Sequence, residues 1–216
     1  MFKKTISSFL ISLFLLFPEF VSAQESGRIK LPNPQTEIGK PLMQALMLRS
    51  SSREFSEKEI PLQELSNILW AANGINRSGS GKHTAPSARN WQEIDIYVSL
   101  SKGVYKYNAK ENSLDQAVAG DLRSFCGVQN FVASAPLNLV YISDYSRIKS
   151  SDNEETKLMW TSAGAGFIAQ NVYLYCASQN LACVVRGLID KSKLAEAFKL
   201  QPDQKIIISQ TVGYPK

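Results

Sequence analysis

The amino-acid sequence predicts an α+β fold in which helices flank a single sheet, and three observations favour this class. Segments with strand-like alternation and segments with helical apolar spacing follow one another irregularly along the 216 residues. Residues 94–100 and 103–107 have the pattern of two strands joined in a hairpin. No G-x-G-x-x-G motif follows any predicted strand, so a doubly wound dinucleotide-binding fold lacks its phosphate loop.

The first half of the chain is predicted to contain two helices, a loop and that hairpin. Apolar residues recur at helical spacing over 41–48, and again from Pro61 until the Asn-Gly pair at 73–74 ends the pattern. The stretch 76–85 is rich in glycine and serine and predicts a mobile loop. The predicted hairpin follows this loop.

The second half of the chain is predicted to contain three helices and three strands. The longest of these helices carries Gly164 and Gly166, which permit another backbone to approach closely. The helices are expected at 114–131, 159–179 and 191–198, and the strands at 137–142, 182–185 and 205–212.

Residues 1–23 have the pattern of a cleaved secretory signal peptide. Lys3 and Lys4 precede an apolar run over 9–17, and the small residues at 21–23 stand where a signal peptidase cleaves. The run is about half of the ~20 apolar residues that a membrane-spanning helix needs, so a stable membrane anchor is not expected. The sequence therefore predicts an exported protein, periplasmic or secreted.

The rest of the chain is expected to form one domain. Residues 24–40, punctuated by Pro32 and Pro34, predict an extended lead-in, and residues 41–216 predict the domain itself. The formal charge is +5, and 22 basic and 18 acidic residues remain without the predicted signal peptide. Because these charges form no Lys/Arg block, nucleic acid is not an expected partner.

Three cysteines and one histidine leave no conventional ligand set for zinc or iron, so no metal site is expected. In an oxidising compartment Cys176 and Cys183 either pair or remain buried free thiols. The G-x-S-x-G elbow of a serine hydrolase is absent. We expect His83 to face solvent from its loop or to line a substrate pocket.

Residues 49–53, here called the serine-arginine turn, combine charged and neutral hydrogen-bond donors. Arg49 and Arg53 supply guanidinium groups, and Ser50 and Ser51 supply short hydroxyls between them. This combination anchors a phosphate group, with backbone N–H groups completing the site. Solvated arginines at a helix end are the alternative interpretation, but an amide motif downstream favours a cofactor phosphate.

Residues 86–92, here called the amide loop, form that motif. Pro86 and Ser87 predict a rigid turn, and the side-chain amides of Asn90 and Gln92 follow it. An amide donates and accepts hydrogen bonds at once, which suits the carbonyl and N–H edge of a flavin ring. The turn and the loop together predict the two ends of one FMN site.

The two motifs resemble those of the nitroreductase family of FMN-dependent oxidoreductases. That family opens with Arg-x-Ser-x-Arg/Lys and continues with Pro-Ser-x-x-Asn-x-Gln, and both occur here in the same order and internal spacing. The resemblance covers about residues 41–216 and is closest to the branch that includes azoline-forming dehydrogenases. Further matching segments are 129–140, 163–174, Arg186-Gly187 and 212–215.

The resemblance implies a three-layer sandwich with a mixed, mostly antiparallel central sheet, and a homodimer with FMN at the subunit interface. It assigns the backbone N–H at Arg186 and Gly187 to the flavin N5 atom, where glycine permits close approach. Two departures from the family pattern stand out. Glu93 replaces the proline that commonly follows the amide motif, and the chain stops at Lys216 without the basic tail of longer members. Lys216 is a candidate substitute for that tail.

The implied function is oxidation or reduction of a small organic substrate. FMN itself carries the hydride or electrons, so no catalytic side chain is expected. NAD(P)H is the usual reductant of the family but is scarce outside the cytoplasm. Two alternatives therefore stay open: a substrate-oxidising, azoline-type dehydrogenase with oxygen or a quinone as acceptor, and a non-catalytic flavin-binding module.

Overall fold

A seven-stranded sheet forms the middle layer of the structure, a computed structural model that describes residues 27–216. The described part of the chain contains nine strands, of which seven form this sheet. They are β1 (Arg28–Lys30), β2 (Ile75–Arg77), β3 (Lys82–His83), β4 (Ile94–Leu100), β5 (Gly103–Asn108), β6 (Ser113–Ala119), β7 (Leu137–Asp144), β8 (Ala182–Arg186) and β9 (Gln204–Gly213). β2 and β3 form a separate hairpin. The others lie in the order β1-β6-β5-β4-β7-β9-β8, and every neighbouring pair is antiparallel.

Among residues 27–216, four α-helices flank the sheet: α1 (Leu42–Leu48), α2 (Leu62–Asn73), α3 (Glu154–Gln179) and α4 (Lys191–Ala197). The longest, α3, begins after Asn153, whose side chain accepts a hydrogen bond from the Thr156 N–H at 2.8 Å. It ends at Asn180, which adopts the left-handed conformation with a φ of 58°. None of the described helices has the length and apolar character needed to cross a membrane.

Each face of the sheet covers its own hydrophobic core. Alternate side chains of β4 point to opposite faces, so Ile96 and Val98 join the core beneath α2 and α3, whereas Tyr97 joins the core beneath α4. Tyr97 stacks on Phe198 at the end of α4, with 6.0 Å between the ring centroids. The structure therefore has three layers, and the predicted α+β class is confirmed.

Most of the predicted elements are present, including the hairpin of β4 and β5 and the long helix α3. The helix predicted over 114–131 is wrong, because β6 and two short 3-10 turns occupy this stretch. β6 pairs with β5, and this sheet pairing overrides the helical spacing of the apolar residues. The strand lies between Asn112, with a φ of 45°, and Gly120, with a φ of 93°. Both are turn signals.

The predictions for the N-terminus fall partly outside the described residues. The predicted signal peptide, residues 1–23, lies wholly outside them. Within the predicted lead-in, β1 pairs with β6 at the edge of the sheet, and Leu31 directly after it is 3% exposed. This stretch therefore contributes to both the sheet and the core.

The three cysteines are buried free thiols. Cys183 Sγ accepts a hydrogen bond from Gln210 Nε2 at 2.9 Å. Burial, together with the contact to Cys183, raises the pKa of Cys176 well above its usual value. Burial also raises the pKa of Cys126 to about 11. Of the two alternatives for Cys176 and Cys183, the structure has the free thiols.

Candidate functional site

The serine-arginine turn runs from the end of α1 along the edge strand β8. The Ser52 N–H donates to the carbonyl oxygen of Cys183 at 3.0 Å. The Ser51 and Tyr173 hydroxyls lie 2.8 Å apart, and the Arg49 guanidinium lies 5.5 Å from the centroid of the same tyrosine ring. These contacts fix the backbone of the turn against β8 and α3.

The arginine side chains of this turn face solvent. Within the described part of the chain, neither Arg49 nor Arg53 forms an ion pair. The C-terminus lies beside them, because Phe55 and Pro215 form an isolated antiparallel bridge and Lys216 follows directly. Guanidinium groups and hydroxyls are hydrogen-bond donors that suit a phosphate group.

The amide loop is held by a closed set of hydrogen bonds. The Ser87 hydroxyl donates to Glu93 Oε2 at 2.8 Å and accepts from the Gln92 N–H at 2.8 Å. The Gln92 side chain donates to the carbonyl oxygen of Gly81 at 3.0 Å. The Gln92 carbonyl oxygen accepts from Arg147 Nη1 at 2.7 Å. The loop is thus bonded to β4, to the β2–β3 hairpin and to the segment after β7.

Three residues of the amide loop adopt the left-handed backbone conformation. The φ angles of Arg89, Asn90 and Gln92 are 50°, 55° and 50°. Asparagine tolerates this region, but for the other two residues it costs roughly 1–2 kcal/mol each. Such strain persists only where surrounding contacts enforce it, and it concentrates at functional sites.

A cavity of about 220 Å³ opens beside this loop. Ser87, Asn90 and Gln92 line one side, and α3 lines another through Gly164 and Ile168. The third side is the β2–β3 hairpin, with Arg77, Lys82 and His83. Residues 76–85, predicted to be a mobile loop, therefore mostly form a hairpin that walls a cavity, so that prediction is wrong.

His83 lines this cavity, which is one of the two alternatives the sequence left for it. Burial, and secondarily the positive charge of Arg77, lowers the pKa of His83 below its usual value of 6.5. The imidazole is therefore neutral near pH 7. Its Nδ1 atom is buried and has no hydrogen-bond partner among residues 27–216.

The side chain of Arg186 points into the protein. Its guanidinium donates to the Cys126 carbonyl oxygen at 2.8 Å and to Asn138 Oδ1 at 3.0 Å. Burial lowers its pKa to about 10. Gly187 is exposed, and a Cβ atom there would have no atom within 4 Å. At this turn only the backbone is therefore available to a ligand, and the backbone N–H is the group that the family resemblance implies.

The two predicted ends of the site do not share a cavity on one chain. None of the residues of the serine-arginine turn lines the cavity of Asn90, whereas Ser50 and Ser52 line a separate cavity of about 230 Å³ with Tyr173. The first cavity reaches α3 at Gly164 and Ile168 and the second at Tyr173, so at least five residues, or about 7.5 Å along the helix, separate them.

Sequence reasoning missed three residues that shape the site. Tyr173 holds the serine-arginine turn, Arg147 holds the amide loop, and Glu93 anchors Ser87. Only Glu93 gave a signal, because it stands where the resemblance leads one to expect a proline. The other two act through tertiary contacts that no local pattern reveals.

Comparisons with known proteins identify the family of this chain. The family model described as Nitroreductase family matches residues 46–214 of this chain. The chain belongs to the nitroreductase family. This match confirms the family resemblance and the fold class that the sequence predicts. FMN is the cofactor of this family. Assignment to the azoline-forming branch stays a prediction.

Individual relatives of this nitroreductase-family protein include both sequences and structures. A candidate nitroreductase from Methanocaldococcus jannaschii is 32% identical over 170 residues, which are 74% of this chain and 85% of that protein. The crystal structure of a candidate nitroreductase from Ralstonia eutropha has 43% identity and a TM-score of 0.83, covering 88% of this chain and 90% of that one. A Desulfovibrio desulfuricans structure in complex with FMN shares the fold at 20% identity and a TM-score of 0.59, covering 82% and 87%.

The strain at Arg89 predicts an unusual order of stability for two substitutions. Arg89→Gly and Arg89→Ala both remove a side chain that is 63% exposed, but only glycine relieves the left-handed strain. We expect the glycine variant to have the higher free energy of unfolding by about 0.5–1 kcal/mol, measured by urea denaturation. The same pair at Glu196, exposed in α4, should show the reverse order. An alanine variant at least as stable at position 89 would contradict the enforced strain.

The pKa of His83 predicts a response to Arg77→Gln. This change removes the smaller cause of the lowered pKa, so the pKa should rise toward 6.5 without reaching it. His83 is the single histidine of the chain, so one imidazole signal in proton NMR of the untagged protein reports it. A depressed folded-state pKa means that the unfolded chain binds more protons, so the free energy of unfolding falls as the pH drops below about 6.5. That loss should be smaller in the variant.

Lys102→Gln is the matched control, since this exposed lysine lies in the turn between β4 and β5 and outside the cavity. It should leave the His83 titration unchanged. A pKa in Arg77→Gln equal to or below that of the parent would show that Arg77 does not act on the imidazole.

Proposed function

We propose that this nitroreductase-family protein is an FMN-dependent oxidoreductase that binds the cofactor phosphate at the serine-arginine turn and the flavin ring at the amide loop. The amide loop carries the proposal, because it combines a strained backbone, a closed set of hydrogen bonds and an adjoining cavity. Family membership supplies the identity of the cofactor. The two motifs supply donors suited to its two ends.

At the phosphate end, Arg49 and Arg53 are the charged donors and Ser50 and Ser51 are the neutral ones. Both guanidinium groups are solvent-facing and free of carboxylate partners within residues 27–216, so no existing ion pair has to be broken. Lys216 directly follows Pro215, which pairs with Phe55 beside this turn. The fit of this donor set to a phosphate dianion is good.

At the ring end, Asn90 is the exposed amide and Gln92 supports it. Gln92 Nε2 donates to Asn90 Oδ1 at 3.3 Å as well as to Gly81, so Gln92 orients the loop more than it faces a ligand. Pro86 and Ser87 form the rigid start of the loop. Arg186 is fastened inward, which leaves the backbone at Gly187 as the donor toward the flavin N5 position.

When bound, FMN would supply the hydride or electron transfer itself. The residues of this chain therefore bind, orient and stabilise charge. Arg49 and Arg53 hold the phosphate, and the Gly187 N–H stabilises negative charge where it develops on the ring. The neutral His83 and the bonded carboxylate of Glu93 shape the adjoining cavity, in which a small organic substrate is placed.

The proposed enzyme is a homodimer that packs through α1 and α3. These helices contact each other and expose large apolar side chains, which on a soluble protein mark an interaction surface. The exposed side chains are Leu42, Met43, Leu46 and Met47 of α1, and Leu158, Met159, Trp160 and Phe167 of α3. A partner packed on α3 brings the amide loop of one subunit toward the serine-arginine turn of the other, which unites the two ends of the site.

The proposed location is outside the cytoplasm, periplasmic or secreted, on the basis of the pattern in residues 1–23. NAD(P)H is scarce there. Two physiological reactions are therefore considered. In one, NAD(P)H reduces the flavin; in the other, a substrate reduces the flavin, and oxygen or a quinone accepts the electrons. Reduction experiments distinguish them.

The combined substitution Arg49→Ala and Arg53→Ala should abolish tight FMN binding. Both side chains are exposed, so the fold is retained, while two charged phosphate contacts worth about 1.5–3 kcal/mol each are lost. We expect an FMN affinity at least ~100-fold lower, measured by quenching of flavin fluorescence. Arg28→Ala, at an exposed arginine on β1, is the matched control and should bind FMN like the parent. Circular dichroism verifies the fold of all variants.

Unchanged FMN affinity in the double variant would place the phosphate elsewhere, and a parent protein that rejects added FMN would overturn the oxidoreductase proposal. Anaerobic titration of the FMN-loaded parent with NADH and NADPH then separates the half-reactions. Bleaching of the flavin supports NAD(P)H as the donor. If neither NADH nor NADPH reduces the flavin, the substrate-oxidising dehydrogenase is favoured.

The dimer predicts a change of molecular mass on introducing charge into its interface. Met159→Glu with Phe167→Glu should convert the dimer to a monomer, because two carboxylates would be buried in an apolar contact. Sedimentation velocity measures this change. Val128→Glu, at an exposed apolar residue outside α1 and α3, should leave the dimer intact. A parent that sediments as a monomer at micromolar concentration would contradict the proposal.

A further inference from the structure

The cavity beside the amide loop contains a buried carboxylate oxygen that lacks a partner. Glu93 is 1% exposed, and its Oε2 atom accepts from Ser87, but Oε1 has no hydrogen-bond partner among the described residues. A buried acceptor without a donor costs roughly 1–3 kcal/mol, and more when it is charged. A donor from outside the chain would remove this cost.

Helix α3 approaches this oxygen at a residue that has no side chain. The nearest residue of α3 is Gly164, and a Cβ atom there would lie 3.2 Å from Glu93 Oε1. Any other residue at position 164 would therefore crowd the oxygen. Gly164 and Glu93 both line the cavity, so glycine keeps this wall open.

The β2–β3 hairpin brings positive charge to the lining of the cavity. Arg77 and Lys82 of the β2–β3 hairpin line the cavity, are exposed, and have no carboxylate partner in the described part of the chain. His83, in the same hairpin, is neutral near pH 7. The lining thus combines two cations that have no carboxylate partner with a buried carboxylate oxygen that has no donor.

We propose that this cavity binds a small organic carboxylate that also carries an N–H or O–H donor. Its carboxylate contacts Arg77 and Lys82, and its donor bonds to Glu93 Oε1. The volume of about 220 Å³ is below the range of drug-sized pockets, so the ligand is about the size of a single ring. The inference rests on the proposed function, because it names the substrate class of the same site.

Calorimetric titration with 4-aminobenzoate as the probe tests this proposal. 4-Aminobenzoate should bind the parent protein about 10-fold more tightly than aniline, which lacks the carboxylate, and than benzoate, which lacks the donor. 4-Methylbenzoate, which keeps the shape of the probe but has no N–H, should also bind about 10-fold more weakly. All titrations use the full-length, FMN-loaded protein.

Substitutions then assign each half of the recognition. Arg77→Gln with Lys82→Gln should remove the advantage of 4-aminobenzoate over aniline and leave aniline binding unchanged. Because alanine has a higher helix propensity than glycine, Gly164→Ala should leave α3 folded. Its Cβ atom would crowd Glu93 Oε1, so this variant should lose the advantage of 4-aminobenzoate over benzoate. Arg28→Gln with Lys102→Gln removes the same charges from exposed sites elsewhere and should change neither.

No detectable binding of 4-aminobenzoate to the parent, or equal affinity for all four probes, would overturn the proposal. So would parental affinity in the Arg77→Gln, Lys82→Gln variant. The flavin content of each sample, read from its absorbance, separates this failure from failure of the proposed function. A protein that holds FMN but does not discriminate between the probes would overturn only the proposed substrate class. A protein that does not hold FMN would overturn the proposed oxidoreductase function.

Discussion

The hydrogen bond from Ser87 to Glu93 is the interaction on which the candidate site depends. Glu93 is buried at the start of β4, and the Ser87 hydroxyl that donates to it also accepts from the Gln92 N–H. Two left-handed residues with large side chains lie within this closed loop, at a cost of roughly 1–2 kcal/mol each. Leaving a buried carboxylate unpaired costs a comparable amount. This bond, together with those from Gln92 to Gly81 and from Arg147 to Gln92, holds the loop in its strained form and so presents Asn90.

Helix α3 is the frame that relates this loop to the rest of the site. On its inner face Gly164 makes room for Glu93, and nine residues later Tyr173 holds the serine-arginine turn. Both motifs therefore contact one rigid helix, at two residues that are about 13 Å apart along its axis. The outer face of the same helix exposes Met159 and Phe167. In the proposed dimer, this exposed face is where a second chain packs and brings its own motif toward the first.

The sequence predicts this architecture well where one local pattern dominates. The apolar periodicity of α2 and the alternation of β4 each identify an element without knowledge of its neighbours. β6 was missed because its pairing with β5 outweighs its own apolar spacing. The sequence singles out the motif residues by their chemistry, their spacing and their resemblance to a known family, but it does not reveal the left-handed φ of Arg89 or the inward direction of Arg186. Both are imposed by contacts between segments far apart in the chain, which no short pattern encodes.

Glu93 also explains how loop and cavity become coupled. A proline at this position would bring neither charge nor acceptor, whereas the glutamate divides its two oxygens between Ser87 and the cavity. A donor that binds Oε1 lowers the free energy of keeping the carboxylate buried, and so stabilises the loop conformation that the other oxygen maintains. By linkage, a well-ordered loop favours binding of that donor to the same extent. In the proposed complex, occupancy of the cavity and the order of the amide loop are therefore coupled through one carboxylate.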